Sequence, residues 1–207
     1  MADAADRPQI YLVTPPDADA QQFPDRLAAV LDAVEVACVR LTLGSSDADH
    51  VARVADALRG IAHDRDVAIV IEAHVAMVER LGLDGVHLND GARSIRKVRA
   101  DLGADAIVGT YCGTSRHDGM TAVEIGADYV SFGPVGETVL GDGTRVEREV
   151  FEWWSEIIEL PVVAEGALTE ALIADLAPVT DWFAFRDEVW SAEDPIATLK
   201  RLVAAMG

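Results

Sequence analysis

Lysine is almost missing from this chain: Lys97 and Lys200 are the only two in 207 residues, so cationic chemistry falls to arginine. Cysteine is equally sparse. Cys38 and Cys112 lie far apart with no metal-ligand spacing, which excludes a zinc knuckle or a disulfide framework and points to a reducing, cytoplasmic setting. No run of roughly 18 uncharged apolar residues occurs, so no membrane helix is expected. The opening stretch, residues 1–6, is acidic and lacks the basic-then-apolar order of a secretion signal. Positive charge is outnumbered throughout. Seventeen Lys and Arg face thirty-six Asp and Glu, a net charge of −19 at pH 7. That sign excludes nucleic acid and anionic membrane as natural partners and gives a phosphorylated ligand no long-range attraction. It reads as a solvated acidic surface.

What the chain has is apolar residues, 50% of the total and evenly spread, in a length that buries a substantial core. It also has one phrase used three times. Leu83-Asp-Gly-Val-His-Leu88, Gly126-Ala-Asp-Tyr-Val-Ser-Phe-Gly-Pro134 and Thr180-Asp-Trp-Phe-Ala-Phe185 each join a helix end, an Asp and a short apolar strand. Around them, β-rich runs predict strands over 9–14, 34–43, 67–71, 85–88, 106–110, 129–132, 161–164 and 182–185. Helical spacing predicts helices over 23–31, 45–63, 75–81, 95–102, 120–125, 151–158, 169–176 and from Pro195 onward. Strict alternation of eight strands with eight helices implies a parallel sheet, and at this length a single (β/α)8 TIM barrel over residues 9–207 with a short tail at 1–8. A doubly wound nucleotide binder would carry a Gly-rich turn after its first strand, where this chain has Pro15-Pro16.

These phrases, with Ile10-Tyr-Leu-Val-Thr14, Pro161-Val-Val-Ala164 and Ala192-Glu-Asp-Pro195, resemble the thiamine-phosphate synthase and thiazole tautomerase superfamily in order and spacing over about residues 9–200. The resemblance implies a TIM barrel and a transferase of thiamine biosynthesis. Such a synthase joins a pyrimidine pyrophosphate to a thiazole phosphate with Mg2+ and releases pyrophosphate. It also implies a set of site residues that this chain has largely replaced. Of the family's Gln-x-Arg-x-Lys in strand two, Cys38-Val-Arg40-Leu-Thr42 keeps the Arg. Glu72-Ala73 stand where Asn-Asp is expected, and Asn89-Asp90-Gly91-Ala92 where Gly-Gln-x-Asp is expected, with Asp90 two residues from the lost carboxylate. The loop Gly-Pro-x-x-x-Thr-x-Thr-Lys becomes Gly133-Pro-Val-Gly-Glu137-Thr138-Val-Leu-Gly141, without the second Thr and the Lys. Gly113 occupies the position of the tautomerase His. Gly166-Ala167 replace Gly-Gly, while Trp182 and Asp187 replace a Gly and a Ser in and after strand eight.

The candidate catalytic residues are Arg40, Glu72 and Glu165, at strand ends where barrels keep acid/base groups. Arg40 serves either as an anion- or ring-binding group or as an internal ion-pair partner of Glu72 or Glu165. Thr42, Asp90, Tyr111, Thr138, Gly166 and Arg186 are the candidate ligand contacts. His87 reads as a structural histidine, Cys112 as a thiol without a visible base, and the 136–143 loop as a lid. Of the adjacent Trp153 and Trp154, one is expected in the core; an exposed one would suggest a homo-oligomer contact. No cofactor is assigned, Mg2+ entering only with synthase activity. Three readings follow. One is a diverged barrel that binds or isomerises a small heteroaromatic or carboxylate metabolite at its C-terminal mouth. Another is a synthase with substituted ligands, and the third is a non-catalytic binding barrel.

Overall fold

The computed structural model describes residues 7–207. Of the tail expected over 1–8, residues 1–6 lie outside the described residues; Arg7 donates to the Val203 carbonyl and Pro8 is buried. The strands are β1 (Gln9–Val13), β2 (Cys38–Leu41), β3 (Ala68–Glu72), β4 (Gly85–Leu88), β5 (Ile107–Tyr111), β6 (Tyr129–Phe132), β7 (Val162–Glu165) and β8 (Trp182–Phe185). They pair in sequence order, all parallel, and β8 closes on β1, with Tyr11 beside Ala184. The helices are α1 (Phe23–Ala33), α2 (Ala48–His63), α3 (Val75–Leu81), α4 (Ile95–Leu102), α5 (Arg116–Glu124), α6 (Arg148–Ile157), α7 (Glu170–Leu176), the single turn α8 (Asp187–Trp190) and α9 (Pro195–Ala204). This is the (β/α)8 barrel read from the alternation.

Local chemistry sets the element ends. Asp47 caps α2 by accepting from the Asp49 and His50 amides, and Asp194 caps α9 by accepting from Ala197 ahead of a proline-led first turn. β2 starts later than expected because Val34 closes α1, its N–H bonded to the Val30 carbonyl at 3.1 Å. α5 starts at Arg116 instead of Met120, since Ser115 is an N-cap accepting from the Asp118 N–H at 3.1 Å. α8 was not anticipated; four residues are too few to show a period.

The repeated Asp now has a physical role. Asp84 Oδ2 accepts the Ile69 N–H at 2.7 Å, Asp128 Oδ2 the Val108 N–H at 2.7 Å, and Asp181 Oδ2 the Val162 N–H at 2.8 Å. The amide of each Asp donates back to the carbonyl of that same residue, at 2.9, 2.8 and 3.2 Å. Each phrase thus begins an even-numbered strand by clamping the start of the preceding odd-numbered one. A carboxylate receiving a backbone N–H is a charge-assisted bond that also sets the register of a parallel pair.

Outward residues such as Leu12, Val39, Ile69, Val86, Phe132, Phe183 and Phe185 pack beneath the helices, where Trp154 is fully buried. Inward residues Tyr11, Val13, Cys38, Val70, Tyr129, Val163 and Ala184 fill the barrel. Gly109 is needed there: a Cβ on it would sit 1.9 Å from the Tyr129 ring. No helix among the described residues is long and apolar enough to cross a membrane.

Asp181 clamps through main-chain partners alone, so Asp181→Ala is expected to lower the unfolding free energy by about 1–3 kcal/mol. Asp181→Asn, which still offers an acceptor, should cost less. Denaturant titration checks this; a loss for Ala under about 0.5 kcal/mol, an ordinary surface effect, would remove the clamp's role.

Candidate functional site at the barrel mouth

A cavity of about 410 Å3 opens above the C-terminal ends of the strands. Arg40, Glu72 and Glu165, the last inward residues of β2, β3 and β7, reach its wall. So do Tyr111, Thr138, Gly166 and Arg186. Thr42 acts one step back, its hydroxyl donating to Glu72 Oε2 at 3.0 Å. Asp90 does not line the cavity: its Oδ2 accepts from Ser94 Oγ, and its Oδ1 is buried without a partner. Proximity in sequence to the expected Mg2+ position therefore did not bring it to the mouth.

Arg40 organises the floor. Its side chain is only 6% exposed, and a buried guanidinium requires partners. Nη2 meets Glu165 Oε2 at 2.6 Å and Nη1 meets Glu165 Oε1 at 3.4 Å, a fork-to-carboxylate pairing. Nε stands 3.7 Å from Glu72 Oε2 and has no hydrogen-bond partner. Burial alone works against its charge, but Glu165, Tyr11 and Glu72 outweigh it and its pKa is raised. The internal ion pair is therefore present, with both carboxylates near and Glu165 the closer.

Nη1 also lies 2.7 Å from His87 Nε2. A guanidinium has no acceptor to offer, so His87 Nε2 must accept, leaving the ring proton on Nδ1. Nδ1 then donates to the Tyr129 hydroxyl at 2.9 Å, which in turn shares a 2.6 Å bond with Tyr11. Burial first and the Arg40 charge second hold the His87 pKa well below 6.5. Burial likewise raises both tyrosines well above their usual range. His87 is thus a satisfied structural histidine, but one in direct contact with the candidate site. Neither it nor the Tyr11–Tyr129 pair was visible as a partner of Arg40, since 47 residues separate Arg40 from His87.

The rim is acidic. Five carboxylates line the cavity (Glu72, Glu137, Glu165, Asp187 and Glu188) against two guanidiniums, Arg40 and Arg186. Arg186 is engaged with its neighbour Asp187 at 3.2 Å. Glu188, overlooked in the sequence, ties two main-chain amides: Oε1 accepts from Leu168 N–H and Oε2 from Arg186 N–H, both at 2.9 Å. The only sequence signal for it was the acidic pair Asp187-Glu188, which starts two residues after the last strand. The base of the loop after β6 is fastened. Val135 N–H donates to Glu165 O at 3.0 Å, Gly136 N–H to Gly166 O at 2.9 Å, and Tyr111 Oη to Gly133 O at 2.6 Å. Gly166, with φ +94°, leaves room for Pro134 and Leu140 that a Cβ would close. Ala73 and Ala167, at φ 60° and 52°, adopt the left-handed region without being glycine.

One expectation changes. Trp182 bears on the opposite end of the barrel: it sits at the start of β8, paired with Gln9 and packed on Tyr11 and Tyr129, so it does not alter a phosphate site at the mouth. Burial and Asp118 push the Cys112 thiol up to about 12, which leaves it protonated and a poor nucleophile. The donors present do not fit a protein-built Mg2+ site. Glu72 Oε2 is already held by Thr42 and Arg40, Asp90 is off the wall, and among the described residues no group of three or more His, Cys, Asp or Glu is placed to hold a metal ion. Of the two tryptophans, Trp154 is core and Trp153 is half-buried beneath the Arg116 guanidinium.

Comparison with known proteins gives a consistent picture. Residues 10–183 match the family model described as thiamine monophosphate synthase. The chain is 39% identical to the thiamine-phosphate synthase of Rhodospirillum centenum, covering 88% of this chain and 89% of that one. It is 36% identical to that of Erythrobacter litoralis over 95% of both. Among solved structures, the thiamine phosphate pyrophosphorylase from Pyrococcus furiosus superposes with a TM-score of 0.84 at 19% identity, covering 96% of this chain and 95% of that one, a likeness of fold.

Two outcomes are expected. Folded His87 stays neutral well below pH 6.5, whereas the unfolded side chain takes a proton there. Its contribution to stability is therefore present above about pH 6.5 and declines as the pH falls, by at most about 1.4 kcal/mol per pH unit. His87→Gln should flatten that part of the stability profile between about pH 6.5 and 5; an unchanged slope would mean that the folded barrel protonates His87. Ala167→Gly should raise stability by roughly 0.5–1 kcal/mol by relieving the left-handed backbone, and a lowered melting temperature would contradict this.

Proposed function

Because this chain belongs to the thiamine monophosphate synthase family, we propose that its mouth binds a small heteroaromatic metabolite of thiamine metabolism without the Mg2+-dependent condensation of two phosphorylated substrates. One observation carries this reading: the cavity has a formal excess of three negative charges, and both of its guanidiniums are already paired with carboxylates. At about 4 Å and an effective dielectric near 20, each like-charge pair costs roughly 4 kcal/mol, so a phosphate dianion here is strongly disfavoured. A neutral or cationic ring is not. Tyr111 and Leu140 offer it an apolar wall. Glu72, 24% exposed against 5% for Glu165, is the more open carboxylate. Steadied by Thr42, it is placed to exchange a proton with the ring, the step an isomerisation needs.

A second reading, condensation with substituted ligands, is favoured by the identity to proteins named thiamine-phosphate synthase over almost the whole chain. The two separate in one assay. Purified protein incubated with both phosphorylated substrates and Mg2+ is expected to form no thiamine phosphate at an ordinary enzymatic rate. Calorimetry with the unphosphorylated thiazole and pyrimidine should show binding that weakens at least about tenfold, a loss of ~1.4 kcal/mol, in Glu72→Ala. Formation of thiamine phosphate at such a rate would establish the second reading.

A further inference from the structure

The mouth contains two devices that hold anions in other proteins, and in this chain each already holds one. The first is the fork of Arg40, whose geometry matches a carboxylate or phosphate; Glu165 occupies it through both oxygens. The second is the main chain after β7 and β8, the region where barrels commonly seat a phosphate on backbone amides. There the Glu188 carboxylate spans the Leu168 and Arg186 N–H groups. Both glutamates line the cavity, so a ligand entering it meets the filled side of each device. Arg40 is also held from behind by His87, at 2.7 Å from Nη1 to Nε2.

We propose that Glu165 and Glu188 are built-in anions that occupy the anion-binding groups of the mouth and determine its specificity by excluding phosphorylated ligands. This inference rests on the mouth being the ligand site described above. It adds that the exclusion comes from two side chains and is reversible by substitution. Removing either carboxylate uncovers a site that has not otherwise been dismantled: the guanidinium fork in one case, a pair of converging amides in the other.

The experiment measures inorganic phosphate binding, without divalent cations, by calorimetry and by 31P line broadening. Wild type, Glu188→Ala, Glu165→Gln and the double variant are compared at one ionic strength, each checked for folding by circular dichroism. Each single variant is expected to bind phosphate at least tenfold more tightly than wild type, and the double variant more tightly than either. Adding Arg40→Met to Glu165→Gln should abolish the gain of that variant. If Glu165→Gln does not fold, Glu165→Asp withdraws the carboxylate by one methylene and is expected to show a smaller gain. Phosphate binding equally tight in wild type and variants, or absent from all folded variants, would overturn the proposal. This outcome is separable from the fate of the reading above. A wild type that makes thiamine phosphate with Mg2+ would end that reading, whereas only the variant series bears on the built-in anions.

Discussion

A guanidinium buried at the floor of the mouth cavity is the constraint from which the site follows. Arg40 cannot stay charged there without a counter-charge, and Glu165 supplies it at 2.6 Å. The same group forces His87 to accept at Nε2, which fixes the ring tautomer and directs the Nδ1 proton to Tyr129. Tyr129 in turn fills the space over Gly109 and meets Tyr11, so the packing of the barrel interior and the electrostatics of its mouth are parts of one hydrogen-bonded column. Removing one partner leaves the others with buried polar atoms unmatched, and such columns resist piecemeal change.

Much of this was legible in the chain. Alternation of strands with helices identified the barrel, and the position of Arg40 near the end of the second strand marked it as a site candidate. The choice between an anion-binding and a paired Arg40 was visible as a choice, and in the structure Arg40 is paired with Glu165. Other features were out of reach for physical reasons. His87 meets Arg40 only through β-barrel closure, and Glu188 binds main-chain amides that carry no residue code. Trp182 was counted among the replaced site residues, although as the first residue of β8, in register with Gln9, it lies at the end of the barrel remote from the mouth. Asp90 misled in the opposite way: two residues of offset in a tight turn after β4 were enough to point its carboxylate toward Ser94.

Family membership and local chemistry therefore speak to different parts of the molecule. The match over residues 10–183 shows the family, whereas the mouth is lined by five carboxylates and two arginines that are each paired with a carboxylate. An Arg–carboxylate pair at the floor contributes less to net stability than its short distance suggests, because both groups lost their hydration to form it. Its larger effect is on what else the arginine is free to hold.

The aspartate clamps separate the two ends of the barrel in the same sense. Asp84, Asp128 and Asp181 act where strands begin, on the amides of Ile69, Val108 and Val162, and none reaches the cavity. Registration of the strands is thus decided at the end remote from any ligand. A chassis built this way tolerates exchange of its front: the residues that choose a ligand can turn over without reopening the question of whether the chain folds. That makes this barrel a suitable host for transplanted loops, provided that the three clamps and the column beneath Arg40 travel intact.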